Sequence, residues 1–286
     1  MVMSRMKQGR LSIKSAALAA LFGLIHASTT LGNGPAPHAL RAIAHDVVEA
    51  KSNGVSYDIM AWTPLGYDDK SEEAYPLLIL LDGAMSMGMA VDIVSTQNVT
   101  GEARPVIVAG VSTAAPGSHS IQRTIDYSAE VPSLAVPPGA EYSFWEFFRQ
   151  SYARIGMKFE EGFGGTDAFY SFLVNQLLPE LQATYRVDPA EIGLAGFSSG
   201  GDFAADTLLR KDTPFSHFII GSFGADVLAA TLDERERAFA RIKAPHHIEV
   251  FCGYGGDELA DPNLRYYIQS GLDLMARLQT ADQEGL

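Results

Sequence analysis

The chain has 286 residues, 47% of them hydrophobic and 19% charged, enough for a full-sized core, and no linker, charge run or internal repeat divides its interior. A formal charge of −13 argues against nucleic acid or an anionic membrane surface as a partner, and a single cysteine, Cys252, excludes an internal disulfide. No Cys/His group has zinc spacing, because His246 and His247 are adjacent and would project to opposite sides of a strand.

Arg5, Lys7, Arg10 and Lys14 form a basic start with no acidic residue, followed by the apolar run "AALAALFGLI" and the small residues Ala27 and Ser28. This is the three-part secretory pattern, and its apolar part is short of the roughly 20 residues that span a bilayer. It predicts a signal peptide over residues 1–27, export to the periplasm or beyond, and a mature domain over 28–286 without a membrane span. An uncleaved anchor or a buried N-terminal helix are the alternatives.

Residues 55–62 ("VSYDIMAW") alternate polar and apolar, as an antiparallel strand does. "LLILLDG" after Pro76 and "PVIVAGV" over 105–111 are continuous apolar runs, predicting strands buried on both faces. Residues 112–165 lapse into a stretch rich in Pro, Gly and aromatics, either an ordered lid over a substrate or a helix packed on the body. Residues 167–185 carry apolar side chains at three- and four-residue spacing, predicting a helix kinked near Pro179. Then come strand "EIGLAG", a helix over 199–209, strand "HFIIGS", a helical stretch after Ala225, strand "HIEVFCG" with Cys252 as a buried strand residue, and a helix over 262–278. The alternation predicts an α/β fold with a mostly parallel sheet and helices on both faces, its functional groups gathered beyond the carboxyl ends of the strands.

Gly196-Phe197-Ser198-Ser199-Gly200 places a Gly-x-Ser-x-Gly pattern at the junction of an apolar strand and a helix. In such a turn the serine hydroxyl projects above the sheet, and residues without a bulky side chain are needed where strand and helix pass close. Ser198 is therefore the candidate nucleophile. The amide of Ser199 and that of Gly83 or Ala84 are the candidate oxyanion donors. In "YGGDELADPN", Asp257 or Glu258 is the candidate acid, and the residues leave that choice open. This chemistry needs no metal or organic cofactor, only a small-molecule ester.

"YPLLILLDG", "RTIDY", "GGTDAFYSFLVNQLLPELQATYRVDP", "LAGFSSGGDFA" and "GYGGDE" together resemble the esterase group of α/β-hydrolases. That group includes ferric enterobactin esterases, S-formylglutathione hydrolase, and feruloyl and acetyl-xylan esterases. The likeness runs from about Val55 onward and is strongest to the siderophore-esterase branch. It implies an α/β-hydrolase fold and serine esterase chemistry on siderophore or other aryl or acyl esters, with Ser198 at the position of the family's nucleophile. Arg123 and Tyr127 of "RTIDY", with Trp145 of the insert, are the candidate substrate contacts. In the family the catalytic histidine follows a last strand, which should begin where this chain reads "ARLQTADQEGL". The chain's histidines are His26, His38, His45, His119, His217, His246 and His247, none beyond the acid loop. The expectation is an α/β-hydrolase lacking the final strand and helix, as a C-terminally truncated esterase. The alternatives are a non-catalytic ester-binding relative and an acyltransferase on the same fold. Oligomeric state is not legible.

Overall fold

The run "YPLLILL" forms the central strand in the computed structural model of the chain, which describes residues 44–114, 119–228, 234 and 248–283. The strands are β1 (Ala44–Glu49), β2 (Ser56–Trp62), β3 (Tyr75–Leu81), β4 (Ile107–Thr113), β5 (Val187–Phe197), β6 (His217–Gly221) and β7 (Glu249–Gly253). Among the described residues they pair in the order β1-β2-β4-β3-β5-β6-β7. β1 and β2 run antiparallel to their neighbours, and the pairs from β4 across to β7 are parallel. The parallel strands therefore deliver their carboxyl ends to one side. The mostly parallel α/β sheet expected from the strand–helix alternation is present. β1 was not expected, because it pairs only with β2 and buries almost nothing, so "AHDVVE" carries no apolar signal.

Alternate residues of each strand serve two cores, as the two-residue period of a strand requires. Leu77, Ile79 and Leu81 join Ile192 and Leu194 of β5 against Phe203 of helix α6 (Ser199–Leu208) and against Phe169 and Phe172. Leu80 and Val108 face the other way, onto Met87 and Val91 of helix α1 (Gly83–Thr100). Each fully buried Leu or Ile contributes about 1.5–3 kcal/mol. α1 escaped the sequence reading because Met85, Met89, Ile93 and Val99 leave its outer side apolar too, erasing the contrast that marks an amphipathic helix.

The insert is ordered over its described part: helix α2 (His119–Tyr127), an irregular run, helix α3 (Glu146–Arg154) and a 3₁₀ turn (Phe159–Gly162). The helix expected over 167–185 forms as α4 (Thr166–Phe172), a π turn (Leu173–Leu177) and α5 (Leu178–Thr184). Pro179, which has no N–H to donate, follows directly on the π turn, where the i→i−4 pattern is already interrupted. After β7 come the short α7 (Gly256–Ala260) and the long α8 (Pro262–Gln283). The predicted signal peptide and the pair His246-His247 lie outside the described residues. So does the helical stretch after Ala225, apart from a 3₁₀ turn (Asp226–Leu228) and Glu234. No described helix is long and apolar enough to cross a membrane.

Candidate active site

Ser198 occupies the sharp turn between β5 and α6 with φ 57° and ψ −126°. A side chain in this region costs about 1–3 kcal/mol, so the surroundings must impose the conformation. They do so through backbone bonds: the Ser198 N–H donates to Gly221 O at 2.9 Å, and the Asp202 N–H donates to Ser198 O at 3.0 Å. Glycine is needed where strand and helix nearly touch. A Cβ on Gly196 would lie 2.0 Å from Gly200 O, and one on Gly201 would lie 2.6 Å from Gly221 O. Gly200 is looser, its nearest atom being Asp82 Oδ2 at 3.2 Å. The crowding thus falls on Gly196 and Gly201 more than on the symmetric pair of the motif. Ser199 opens α6, and its amide is among the first-turn N–H groups that have no acceptor within the helix.

The second turn follows β3. Asp82 is in the left-handed region at φ 54°, and Gly83 passes so close to β4 that a Cβ would lie 2.6 Å from the backbone of Gly110 and Val111. The Ala84 N–H donates to Ser112 Oγ at 2.8 Å and is therefore already engaged.

Arg123 spans the two turns. Its Nε and Nη2 donate to Asp82 Oδ1 and Oδ2 at 2.7 and 2.9 Å, and Nη2 also donates to Phe197 O at 3.0 Å, one residue before Ser198. The Tyr127 hydroxyl accepts the Asp82 N–H at 3.3 Å, and its ring lies 5.4 Å from the guanidinium. Both were candidate substrate contacts from sequence. In the structure Arg123 joins the two turns, and Tyr127 holds the Asp82 amide. Trp145, the third candidate, is buried against Phe144, Phe148, Phe163 and Tyr267.

The two candidate acids separate in space. Glu258 Oε2 accepts the Ser222 hydroxyl at 2.6 Å and the Gly255 N–H at 2.8 Å, which ties it to the loops leaving β6 and β7. Asp257 beside it is exposed. Two histidine side chains belong to the described residues, and neither is near these loops. His45 on edge strand β1 lies 3.2 Å from Asp58, and His217 opens β6, at the opposite end of the sheet, with Nδ1 2.9 Å from Ser216 Oγ. His119 is the first residue of α2. Cys252 is half-buried, and burial pushes its thiol up to about 11, which keeps it un-ionised. Among the described residues no group of His, Cys, Asp and Glu could hold a metal ion.

One residue behind the turn was missed. Asp202 is fully buried; its Oδ1 accepts the Gly224 N–H at 2.8 Å and the Tyr267 hydroxyl at 2.6 Å, while Oδ2 has no hydrogen-bond partner. Its signal was in the sequence, where Asp202 and Asp206 are the two carboxylates among the small and apolar residues of "SGGDFAADTL". Burial pushes its carboxyl up to about 7. Burial does the same to Asp126, which accepts from Tyr57 and Gln122. An acid that holds its proton more tightly folded than unfolded stabilises the fold fully below its unfolded value near 4. That contribution is lost as pH rises toward 7. Asp202→Asn removes one such group, so in urea unfolding its stability relative to wild type is expected to rise by ~2–4 kcal/mol between about pH 4 and pH 8. Parallel pH profiles for the two proteins would refute this.

The described residues all fall in one compact unit, His38–Leu286. A family model described as "Putative esterase" matches residues 51–284. The chain is 28% identical over 153 residues to the ferri-bacillibactin esterase BesA of Bacillus subtilis, an alignment covering 52% of this chain and 47% of that protein. The chain thus matches about half the length of that curated relative. In backbone it is similar to the siderophore hydrolase EstA of Aspergillus nidulans, with a TM-score of 0.65 at 19% identity over 89% of this chain and 88% of that one. The BES protein of Bacillus cereus gives 0.59 at 23% identity, over 75% and 76% of the two chains.

Proposed function

The chain belongs to the esterase family just matched, and from that premise we propose that it hydrolyses carboxylic esters through an acyl intermediate on Ser198. The observation that carries the reading is the left-handed Ser198 turn, held between β5 and α6 where an added Cβ on Gly196 or Gly201 would run into backbone. In the proposed reaction Ser198 Oγ attacks the ester carbonyl and loses its proton to a base. The oxyanion is held by the amides of Ser199 and Gly83; Gly83 is favoured over Ala84 because the Ala84 amide already serves Ser112. The alcohol leaves, and water then releases the acid by the same route in reverse. The names of BesA and EstA supply the proposed substrate class, a siderophore ester or another aryl or acyl ester.

The base to test is His119. It lies one helical turn before Arg123 in α2, and the Arg123 guanidinium donates to Phe197 O beside the nucleophile. Glu258 is favoured as the acid by its bonds to Ser222 and Gly255. Glu258→Gln is expected to lower kcat for a nitrophenyl ester by about 10²-fold or more, and Asp257→Asn by less than about threefold. The reverse ranking would transfer the role to Asp257.

A fluorophosphonate probe followed by peptide mass spectrometry tests the nucleophile. The expected result is one adduct, on Ser198, absent from Ser198→Ala and slowed in His119→Ala. A folded protein that takes no label would overturn the proposal. A second reading, an ester-binding relative without turnover, is favoured by the positions of His45 and His217, both far from the carboxyl ends of the strands. It predicts tight retention of an intact ester and no adduct. Transfer of the acyl group to an added alcohol in place of water would instead identify an acyltransferase.

A further inference from the structure

Away from the Ser198 turn, the insert, the 3₁₀ turn after β6 and the start of α8 line a half-open cavity of about 470 Å³, within the size range of small-ligand sites. None of the residues of the Ser198 and Asp82 turns lines it. Four aromatic residues form much of its wall: Phe144, Trp145, Tyr266 and Tyr267. The wall is fixed in place. Phe144 stacks on Tyr267 with centroids 5.0 Å apart, Trp145 meets Phe144 edge-on at 5.0 Å, and the Tyr267 hydroxyl is anchored on Asp202. The Glu130 N–H donates to Val227 O at 3.0 Å, tying the insert to the 3₁₀ turn.

Among the described residues the charged groups of the lining are Asp226 and Glu130, with no Lys, Arg or His beside them. Asp226 is largely withdrawn from water, and burial raises its pKa against the opposing hydrogen bonds of Ser270 and Trp145. An anionic ligand here would meet two carboxylates and the negative faces of the rings. A neutral apolar ligand would desolvate both carboxylates and bring neither a group of opposite charge. An ammonium group carried on an apolar or aromatic body answers both features, with charge-assisted hydrogen bonds to the carboxylates and cation–π contact with the rings.

We propose that this cavity binds an organic ammonium, a primary amine borne on an aromatic or alkyl body, between the four aromatic residues and the carboxylates of Asp226 and Glu130. The proposal does not depend on the role of Ser198, and the test measures binding without hydrolysis. Phenethylammonium, 2-phenylethanol and 3-phenylpropionate share a body and differ in charge. Each is titrated by calorimetry and by tryptophan fluorescence at neutral pH. Phenethylammonium is expected to bind saturably and at least about tenfold more tightly than the alcohol, with no saturable binding of the carboxylate. Asp226→Asn with Glu130→Gln is expected to weaken the amine by roughly tenfold or more while leaving the alcohol unchanged. Equal affinity for amine and alcohol, preference for the carboxylate, or no saturable amine binding would each overturn the proposal. The charge series on the wild-type protein needs no variant, so the test stands even where the double variant fails to fold.

Discussion

Ser198→Ala is expected to reduce turnover of a short-chain nitrophenyl ester by at least about 10³-fold, because members of a nucleophile–base–acid unit are lost together and not in shares. Removing Oγ touches none of the backbone bonds that hold the turn, since both run through Ser198 N–H and O. The variant should therefore fold like wild type, and the loss should appear in kcat. Ser198→Gly provides the control that separates chemistry from strain. Glycine adopts φ near +57° without the cost borne by a side chain, so this variant should be more stable than wild type by about 1 kcal/mol while equally inactive. A Ser198→Ala protein that keeps a tenth of wild-type turnover would remove Ser198 from the mechanism. A folded wild type without turnover would favour the binding reading.

The legible parts of this fold are those where one residue choice answers to one physical demand. The β3 run is apolar at every position because helices pack on both faces, and "GFSSGG" has glycine where strand and helix backbones nearly touch. The illegible parts depend on partners distant in sequence. "RTIDY" shows nothing of Arg123 reaching Asp82, 41 residues back, and Phe197, 74 residues on. Asp257 and Glu258 are equivalent in the sequence, and the long-range contact that separates them is that of Glu258 with Ser222, 36 residues away, where Ser222 sits at φ 48°. β1 and α1 were missed for opposite reasons, too little burial in one and apolar residues on all sides of the other.

Gly196→Ala tests the same turn through stability. The added Cβ would sit 2.0 Å from Gly200 O, an atom of the backbone at the start of α6. No side-chain rotation can relieve that contact; either β5 and α6 separate or the Ser198 turn opens. Separation is opposed by the residues packed on both sides, since every residue of α6 is buried. Overpacking against backbone should therefore cost about 3 kcal/mol or more in urea unfolding, near the upper end for an added carbon in a well-packed core. Gly201→Ala, at 2.6 Å from Gly221 O, should behave similarly. Gly200→Ala meets a side-chain oxygen of Asp82 at 3.2 Å and should cost nearer 1 kcal/mol. The ranking matters more than any one value. If Gly196→Ala unfolds with wild-type stability, β5 and α6 are not in the contact described, and the left-handed turn that presents the Ser198 hydroxyl loses its physical cause. If it folds weakly and turnover falls further than the folded fraction explains, the same contact that shapes the turn also sets the position of the nucleophile.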